Sequence, residues 1–570
     1  MYIRNQAKPQ YLNVIIYERD DNKMKKLVSL LFVMGLLFAL SACGTADDPT
    51  PITPEATPTP AAEATPEPLA EVEGALEVEE DAETVMLDHI TIGVGGAVFA
   101  SITPFRNNNN QHHQIVRFLY ERLLYLTPNG YVRQGARSFE VAEDGRTWTV
   151  EIYDYIYDSA GNHITAADVV WFIEESMERG MRPVFRRIES VQQTGDYTFE
   201  VVMDDDVADT FEIILISTFL ISREAYEAST NGMATELIST SKFQVTDFIP
   251  DATITFTIRD DHWQDPELTD PALVSNIRSF TVMNIPEASQ QQIALETGIV
   301  DAFVGLVPTV AGAFENNPAF HFATSPSNTG LGLYFSGAES SMVAYDVYLR
   351  RAIAYAIDAA GILAGALNGF GEVMTDITPR TSAGFLDEWL TIDYFPFSTE
   401  RAAYYLAKSN YNGEPLSIMA SGATNERVSI LIQAYLQAIG VNVALDIRDT
   451  ALFAASSQDG NNFDMLLVNA GNGLVNQWGN RFDMNAFELG DAQSRRDPVL
   501  TELLHYTFRN ANFVPENKER VRQYLADNMY AYGIVLGHIV SVANVDLGLA
   551  GTTFDITGLL DLPASVFTQY

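Results

Sequence analysis

The sequence predicts an α/β protein of two or three domains. The chain has 570 residues, 47% of them hydrophobic, which is enough for several buried cores. Apolar residues with helical spacing alternate along it with short segments typical of strands. The clearest unit is a helical stripe from Val428 to Ile439, then Gly440 at the helix end, then a strand from Val441 to Leu445. Such alternation is typical of α/β folds.

Charge and cysteine content exclude several classes of function. The formal net charge of −41 argues against nucleic acid as a partner, because phosphate binding needs a basic surface. It also disfavours electrostatic docking on an anionic membrane, and solubility explains it better than cation binding does. The one cysteine, Cys43, excludes an internal disulfide or a cysteine-rich zinc site within a monomer.

The N-terminus has the pattern of a secretory signal. Lys23, Lys25 and Lys26 precede a 14-residue apolar run, Leu27–Leu40, which is shorter than the about 20 residues of a membrane-spanning helix. The next residues, 41–43, are Ser-Ala-Cys, and together with Leu40 they resemble the bacterial lipobox. This resemblance implies a signal peptide over 1–43 and lipidation of Cys43. An ordinary cleaved signal or an uncleaved anchor is the alternative. Residues 1–23 are a hypothetical gene-model extension, with Met24 as the true start.

Residues 44–85 form a predicted disordered tether. The segment is rich in Pro, Thr, Ala and Glu, and thirteen acidic residues lie between Gly44 and Asp88 without one Lys or Arg. Such a composition cannot bury enough apolar surface to offset the chain entropy of folding. Proline and like charge extend the segment, so we expect it to hold a folded domain away from the membrane.

The folded part begins with a predicted strand at His89–Val98. A helix is predicted from the apolar spacing of Val116 to Leu124, followed by a turn at 128–130 and a half-buried strand at 148–152. Thr165 and Asp168 have the spacing of a helix N-cap close to a capping box. Further helices are predicted at 346–358, after Ser398 and at 428–439, and a buried strand at Met465–Val468.

Motifs for catalysis or metal binding are not found in the sequence. The eight histidines are scattered, and no H-E-x-x-H, phosphate-binding loop or G-x-S-x-G occurs. The glycines at 93, 95 and 96 resemble the start of the dinucleotide-binding fingerprint G-x-G-x-x-G, but the last glycine of that fingerprint is missing. The acidic run at 204–206 is interpreted as a solvated turn rather than a metal site, and the Asp-Gly-Asn-Asn sequence at 459–462 is interpreted as a turn for the same reason. We therefore expect no enzyme activity, cofactor or metal.

Several segments resemble the family 5 extracellular solute-binding proteins, which are oligopeptide-, dipeptide- and nickel-binding receptors of ATP-driven importers. The resemblance covers roughly His89 to Tyr532 and includes 259–263, 294–301 and 346–358, the last similar to the family's "RqAi.yAiDr" helix. In the opening signature the matching residues, in order, are Glu121, Leu123, Leu124, Gly130, Asp144, Gly145, Trp148, Thr165, Ala166, Asp168 and Val169.

This resemblance implies an α/β, periplasmic-binding-protein-like fold (type II, cluster C): a two-lobe Venus flytrap with an extra inserted domain. Hinges are expected near Phe243 and 325–330. The implied boundaries are 86–124, 240–328 and 530–570 for a discontinuous lobe I, 125–239 for the inserted domain (domain II), and 329–529 for lobe II (domain III).

The resemblance also implies a monomeric, lipid-anchored receptor on the extracellular or periplasmic face of the cell membrane. Its partners would be a small-molecule or peptide ligand and the permease and ATPase subunits of an ABC importer. The family's acid-containing "W..DypDP" segment has no acid at 472–481, and its "GTGPY" is replaced at 239–243. A peptide, an oligosaccharide or another polar solute therefore stays open, as do a sensing or adhesive module without import and an extracellular hydrolase.

Ligand contacts are predicted mainly on lobe II. Aromatic side chains and a few polar anchors form the walls of ligand clefts, although packing is the alternative for each aromatic. The candidates are Tyr334, Phe335, Asn472, Asn476 and Trp478, with Arg106 and Asn107 in the amide-rich loop of lobe I.

Overall fold

The computed structural model describes only part of the chain. The described residues are 86–95, 101–105, 115–127, 130–181, 183–208, 210–264, 269–270, 273–327, 329–471, 474–483, 497–545, 547–548 and 568–569. All of them belong to one compact unit, Val72–Tyr570. The predicted signal peptide, the tether and Cys43 lie outside them. Within these ranges, no helix combines the length and the apolar character that crossing a bilayer requires.

The N-terminal part contributes one strand to a large sheet and builds a small sheet of its own. Its elements are β1 (Ile90–Val94), β2 (Leu124–Thr127), β3 (Gly130–Arg133), β4 (Ala136–Val141), β5 (Thr147–Ile152), α1 (Ala166–Glu178), β6 (Ile188–Gln193), β7 (Thr198–Met203), α2 (Thr210–Ser217) and α3 (Arg223–Ala228). The order β4-β5-β7-β6 is antiparallel throughout, and α1 packs beside β6. This sheet is the centre of the inserted domain.

The middle segment completes the sheet of lobe I. Its elements are β8 (Phe243–Ile249), β9 (Thr253–Ile258), β10 (Ser279–Asn284), α4 (Ala288–Glu296), β11 (Ala302–Val304), α5 (Pro308–Ala311) and β12 (Phe320–Pro326). β1 lies between β10 and β11 and is parallel to both, which is the arrangement of a buried α/β strand. Gly93 is required there, because a Cβ at this position would overlap the ring of Phe303.

The third segment forms lobe II, in which helices cover a second group of strands. Its elements are β13 (Thr329–Phe335), α6 (Val347–Ala356), α7 (Ala359–Leu367), β14 (Gly371–Val373), α8 (Thr399–Lys408), β15 (Leu416–Ser421), α9 (Ala423–Ala438), β16 (Val443–Arg448), α10 (Thr450–Ser456), β17 (Met465–Gly471), α11 (Leu474–Phe482), α12 (Pro498–Phe508) and α13 (Pro515–Asn528). β15 is parallel to β16 and β17, whereas β13 is antiparallel to β17.

One long strand, β18 (Ala531–Asn544), connects the two lobes. Its first half pairs with β13 and β14 of lobe II, and its second half, from His538, pairs with β11 and β12 of lobe I. Twelve of the described strands therefore form one sheet with the order β16-β15-β17-β13-β18-β11-β1-β10-β9-β8, to which β12 and β14 attach through β18. β19 (Leu547–Gly548) and β20 (Thr568–Gln569) pair separately.

Most of the predicted elements are confirmed. The carboxylate of Asp168 accepts hydrogen bonds from the backbone N–H and the hydroxyl of Thr165, both at 2.8 Å, which is the expected capping box. Ser398 caps α8 by accepting from the N–H of Arg401. Gly440 follows α9 with a φ of +91°, as the prediction required.

The helix predicted from Val116 to Leu124 is wrong. Within the described residues, helical geometry covers only 115–116, a turn follows, and Leu124 begins β2. The apolar residues of this segment are all at most 4% exposed, because lobe I and the inserted domain surround it. A segment buried on every side has no polar face, so apolar spacing does not distinguish a helix from other conformations.

Candidate ligand cleft between the lobes

The chain passes between the two lobes at two adjacent places. One is the passage from β12 to β13, and the other is the middle of β18. Ser327 connects them, because its N–H donates to the carbonyl of Gly537 at 3.0 Å and its carbonyl accepts from the hydroxyl of Thr381 at 2.8 Å. The hinge expected at 325–330 coincides with the first passage. Within the described residues, these two passages therefore connect lobe I with lobe II.

A carboxylate, a guanidinium and an imidazole lie beside these passages. Arg380 donates to both oxygens of the Glu372 carboxylate at 2.6 and 2.7 Å, and His538 Nε2 lies 2.9 Å from the same carboxylate. The hydrogen bonds from Arg380 are the main reason that the pKa of Glu372 lies below its usual value, and His538 adds to the effect. Glu372 therefore joins His538, the first residue of the second half of β18, to lobe II through a side-chain hydrogen bond.

The helix α11 carries two of the contacts predicted for lobe II, Asn476 and Trp478, and the strand β13 carries Tyr334 and Phe335. Trp478 is fully buried in α11, stacks on Trp389 with 6.0 Å between ring centroids and donates its indole N–H to Thr378 Oγ1 at 3.0 Å. Gln477 donates to the carbonyl of Ile377 at 3.0 Å. The segment Asp376–Thr378, which we call the support segment, thus holds α11 against lobe II.

Buried charge fixes the support segment in turn. Asp376 accepts from Arg522 Nε at 2.7 Å, and the two side chains are 8% and 1% exposed. The other oxygen of Asp376 accepts from the N–H of Thr378 at 2.8 Å. The Arg522 guanidinium also lies 4.7 Å from the ring centre of Tyr394. A chain of contacts therefore runs from α13 through the support segment to the indole of Trp478.

Tyr334 and Phe335 point to opposite faces of the sheet, as neighbours on a strand do. Tyr334 shares a hydrophobic cluster with Trp478, stacks on Phe482 and lies under the Arg481 guanidinium at 5.6 Å. Phe335 belongs to the cluster on the other face. The structure thus brings Tyr334 and Trp478 together and separates Phe335 from them.

The remaining predicted contacts lie beyond what the structure describes. Arg106, Asn107 and Asn472 fall outside the described residues, and of Asn476 only the backbone, within α11, is described. Ligand contact by any of the seven candidates therefore remains a prediction.

Sequence reasoning missed a direct contact between the inserted domain and lobe II. The N–H of Ala208 donates to the carbonyl of Phe508 at 2.9 Å, and Val207 forms an antiparallel bridge with Arg509. Arg509 Nη2 lies 3.2 Å from Asp205, and Asn510 hydrogen-bonds to Asp206. The acidic run at 204–206 was the visible signal, and the chain bends there, but the partners of Asp205 and Asp206 lie 304 residues away in sequence.

Comparisons with known proteins agree with this architecture. The model of bacterial extracellular solute-binding proteins, family 5, matches residues 130–484. The heme-binding protein A of Haemophilus influenzae is 23% identical over 54% of this chain, and the match spans 60% of that protein. The nickel-binding periplasmic protein of Escherichia coli is 22% identical over 65% of this chain and 72% of its own length.

Solved structures show the same fold. The oligopeptide-binding protein AppA from Bacillus subtilis, in complex with a nonapeptide, superposes with a TM-score of 0.71 at 15% identity, covering 86% of this chain and all of that one. NikA from Brucella suis, in complex with Fe(III)-EDTA, gives 0.70 at 16% identity, over 84% of this chain and 100% of its own. The predicted two-lobe fold of type II is confirmed.

Proposed function

Because the chain belongs to family 5 of the bacterial extracellular solute-binding proteins, we propose that it is the receptor of an ATP-driven importer. It captures a solute between lobe I and lobe II, closes about the hinge and presents the closed form to a permease. Only the additional contacts that the ligand makes in the closed form stabilise that form. The proteins of this family are binding proteins rather than enzymes.

The division of β18 between the lobes is the observation that supports this mechanism best. The first half of β18 pairs with strands of lobe II and its second half with strands of lobe I. The other described passage, β12 to β13, lies beside it. Two adjacent connections permit a rotation of one lobe against the other, because few residues have to change their backbone angles.

The ligand that we propose is a peptide or a peptide-like polar solute. Relatives carry names for glutathione, D,D-dipeptide, nickel and heme binding, so the family alone does not select one class. The stretch 472–481 contains amides and one arginine but no acid. A site with these groups would hold the ligand through its backbone or carboxylate rather than through a free amine, which needs an acid.

Ligand retained by gently purified protein tests this proposal directly. Mass spectrometry of the denatured protein should release a small polar compound, and re-adding that compound should raise the melting temperature. Occupancy at about 100 times the Kd adds about 2.7 kcal/mol to the free energy of unfolding. Turnover of peptides or glycosides that is lost on mutating one carboxylate would contradict the receptor function.

We propose that Cys43 carries the lipid anchor. Several acyl chains on one residue give stable membrane attachment, whereas a single chain does not. Cys43→Ala should move the protein from the membrane fraction to the soluble fraction of the expressing cells. Cys43→Ala protein that remains in the membrane fraction would refute the anchor without affecting the proposed binding function.

A further inference from the structure

We propose that the contact between Asp204–Ala208 of the inserted domain and Phe508–Asn510 of lobe II is a latch that stabilises the closed form. Arg509 and Asn510 would then determine ligand affinity without touching the ligand. This inference rests on the proposed hinge closure, because a latch has meaning only if the lobes separate. We call the two segments together the inter-lobe latch.

The backbone part of the latch requires one relative position of the two domains. The N–H of Ala208 donates to Phe508, and the N–H of Asn510 donates to the carbonyl of Asp206 at 3.4 Å. These bonds and the bridge between Val207 and Arg509 form a short antiparallel ladder. Such a ladder tolerates little displacement, since adjacent strands lie about 4.8 Å apart. A rotation about β18 that separates the domains here must break these bonds.

An apolar contact accompanies the ladder. Val207 is only half-buried, yet it packs against the cluster of lobe II that contains Trp478 and Phe508. A residue of the inserted domain thus reaches the edge of the core of the other lobe. Opening the lobes would expose this side chain to water, so its burial favours the closed form.

The three consecutive carboxylates of the latch have three different partners. Asp204 pairs with Arg187 of its own domain at 3.2 Å, Asp205 pairs with Arg509, and Asp206 pairs with Asn510. Separation of the inserted domain from lobe II would remove the partners of Asp205 and Asp206 and leave two adjacent negative charges. The ion pair can nevertheless break and form again at small cost, because the side chains of Arg509 and Asp205 are 54% and 36% exposed to solvent.

The expected effect on affinity follows from the closed population. The apparent Kd is the intrinsic Kd divided by the fraction of molecules in the binding-competent form. An exposed ion pair changes such an equilibrium by about twofold to fivefold. Loss of the pair should lower the closed fraction, which raises the apparent Kd, and raise the open fraction, which speeds amide exchange; the two fold-changes multiplied together should equal that factor.

Hydrogen exchange measured by mass spectrometry on the full chain, without ligand, tests the latch. In Arg509→Gln, the amides of Ala208 and Asn510 should exchange faster than in the wild type, by at most about fivefold. The charge-reversed pair Asp205→Arg with Arg509→Asp should restore the wild-type rates. Exchange should also accelerate at about 1 M salt in the wild type, where the Debye length is about 3 Å.

Arg137→Gln is the matched control. Arg137 forms an exposed ion pair with Glu151 at 3.4 Å, but both residues lie within the inserted domain. Its loss should leave the exchange of Ala208 and Asn510 unchanged. Unchanged exchange in Arg509→Gln as well, or failure of the charge-reversed pair to restore it, would overturn the latch.

Titration with trialanine adds an independent measurement. A higher Kd in Arg509→Gln than in the wild type supports the link from latch to affinity, and an equal Kd overturns it. If trialanine binds neither protein, the peptide part of the proposed function fails, while hydrogen exchange still decides whether the latch exists.

Discussion

Trp478 shows how one side chain is held by a chain of contacts that the sequence does not reveal. Its indole N–H donates to Thr378, Thr378 belongs to the support segment, and Asp376 in that segment pairs with Arg522 of α13. The sequence distance from Trp478 to Thr378 is 100 residues. Packing and ligand contact therefore make different demands on this residue, and experiments can separate them.

Replacing Trp478 by Phe should lower the free energy of unfolding by about 1–2 kcal/mol, since a buried hydrogen bond and part of a packed ring are lost. Chemical unfolding in urea measures it. Thr378→Val is the matched control, because it removes the same hydrogen bond and keeps the indole. If Trp478 also contacts the ligand, Trp478→Phe should bind the ligand more weakly and Thr378→Val should not. Equal ligand affinity in the two variants would show that Trp478 serves packing.

Asp376→Asn should destabilise lobe II by about 3 kcal/mol, because it removes the buried ionised partner of the Arg522 guanidinium. Thermal unfolding followed by circular dichroism measures the loss. The control is Glu519→Gln, which removes the weaker, half-exposed partner of Arg522 at 3.6 Å and should cost less than about 1 kcal/mol. Equal losses in the two variants would show that burial does not determine the strength of the pair.

At the level of helices and strands, local chemistry predicted the ends of elements better than periodicity predicted their type. The Thr165–Asp168 capping box and Gly440 were predicted correctly, because a cap depends on residues a few positions apart. The segment from Val116 to Leu124 was not, because burial on all sides removes the polar face on which a periodicity argument depends. The strand β18 was not predicted, because its first half pairs with strands of lobe II and its second half pairs with strands of lobe I.

Two glycines of β18 should respond differently to the same substitution. A Cβ at Gly533 would overlap the carbonyl oxygen of Asp376, so Gly533→Ala must displace the support segment and should cost about 2 kcal/mol or more. At Gly537 the nearest atom is the Leu367 Cδ2 at 3.4 Å, so Gly537→Ala should change stability by less than about 1 kcal/mol. Urea unfolding measures the stability of both variants. A larger loss of stability in Gly537→Ala than in Gly533→Ala would contradict this prediction.

At the scale of the whole molecule, the family and the fold were predictable from short motifs, whereas the arrangement around the cleft was not. Motifs such as 346–358 specify local packing that every member needs. Asp205 and Arg509 meet only because the inserted domain and lobe II are placed by the complete sheet. For the same reason the solvated turn predicted at 204–206 gave no indication of its partners.

The stability of the protein should fall as pH rises above neutrality, in part through His505 near the latch. The hydrogen bond to Asp483 raises the pKa of His505 above its usual value of about 6.5, and Asp205 adds to the effect while Arg187 opposes it. The protonated form is therefore favoured by folding. Its contribution is fully present below the unfolded pKa and is lost as pH rises through the folded pKa.

His505→Gln should remove this part of the pH dependence. Melting temperatures measured from pH 5 to pH 9 should fall less steeply in the variant than in the wild type. His163→Gln is the control, since His163 is paired with a backbone carbonyl of Asp154 rather than with a carboxylate. Parallel profiles for wild type and His505→Gln would refute the role of the Asp483 pair.

The sharing of β18 also has a consequence for how the polypeptide matures. Neither lobe has its full set of strands until residues 531–544 have been synthesised, since β13 and β14 need the first half and β11 and β12 need the second. Pairings between residues so distant in sequence form slowly. Neither lobe can therefore complete its sheet during synthesis before this strand has left the ribosome.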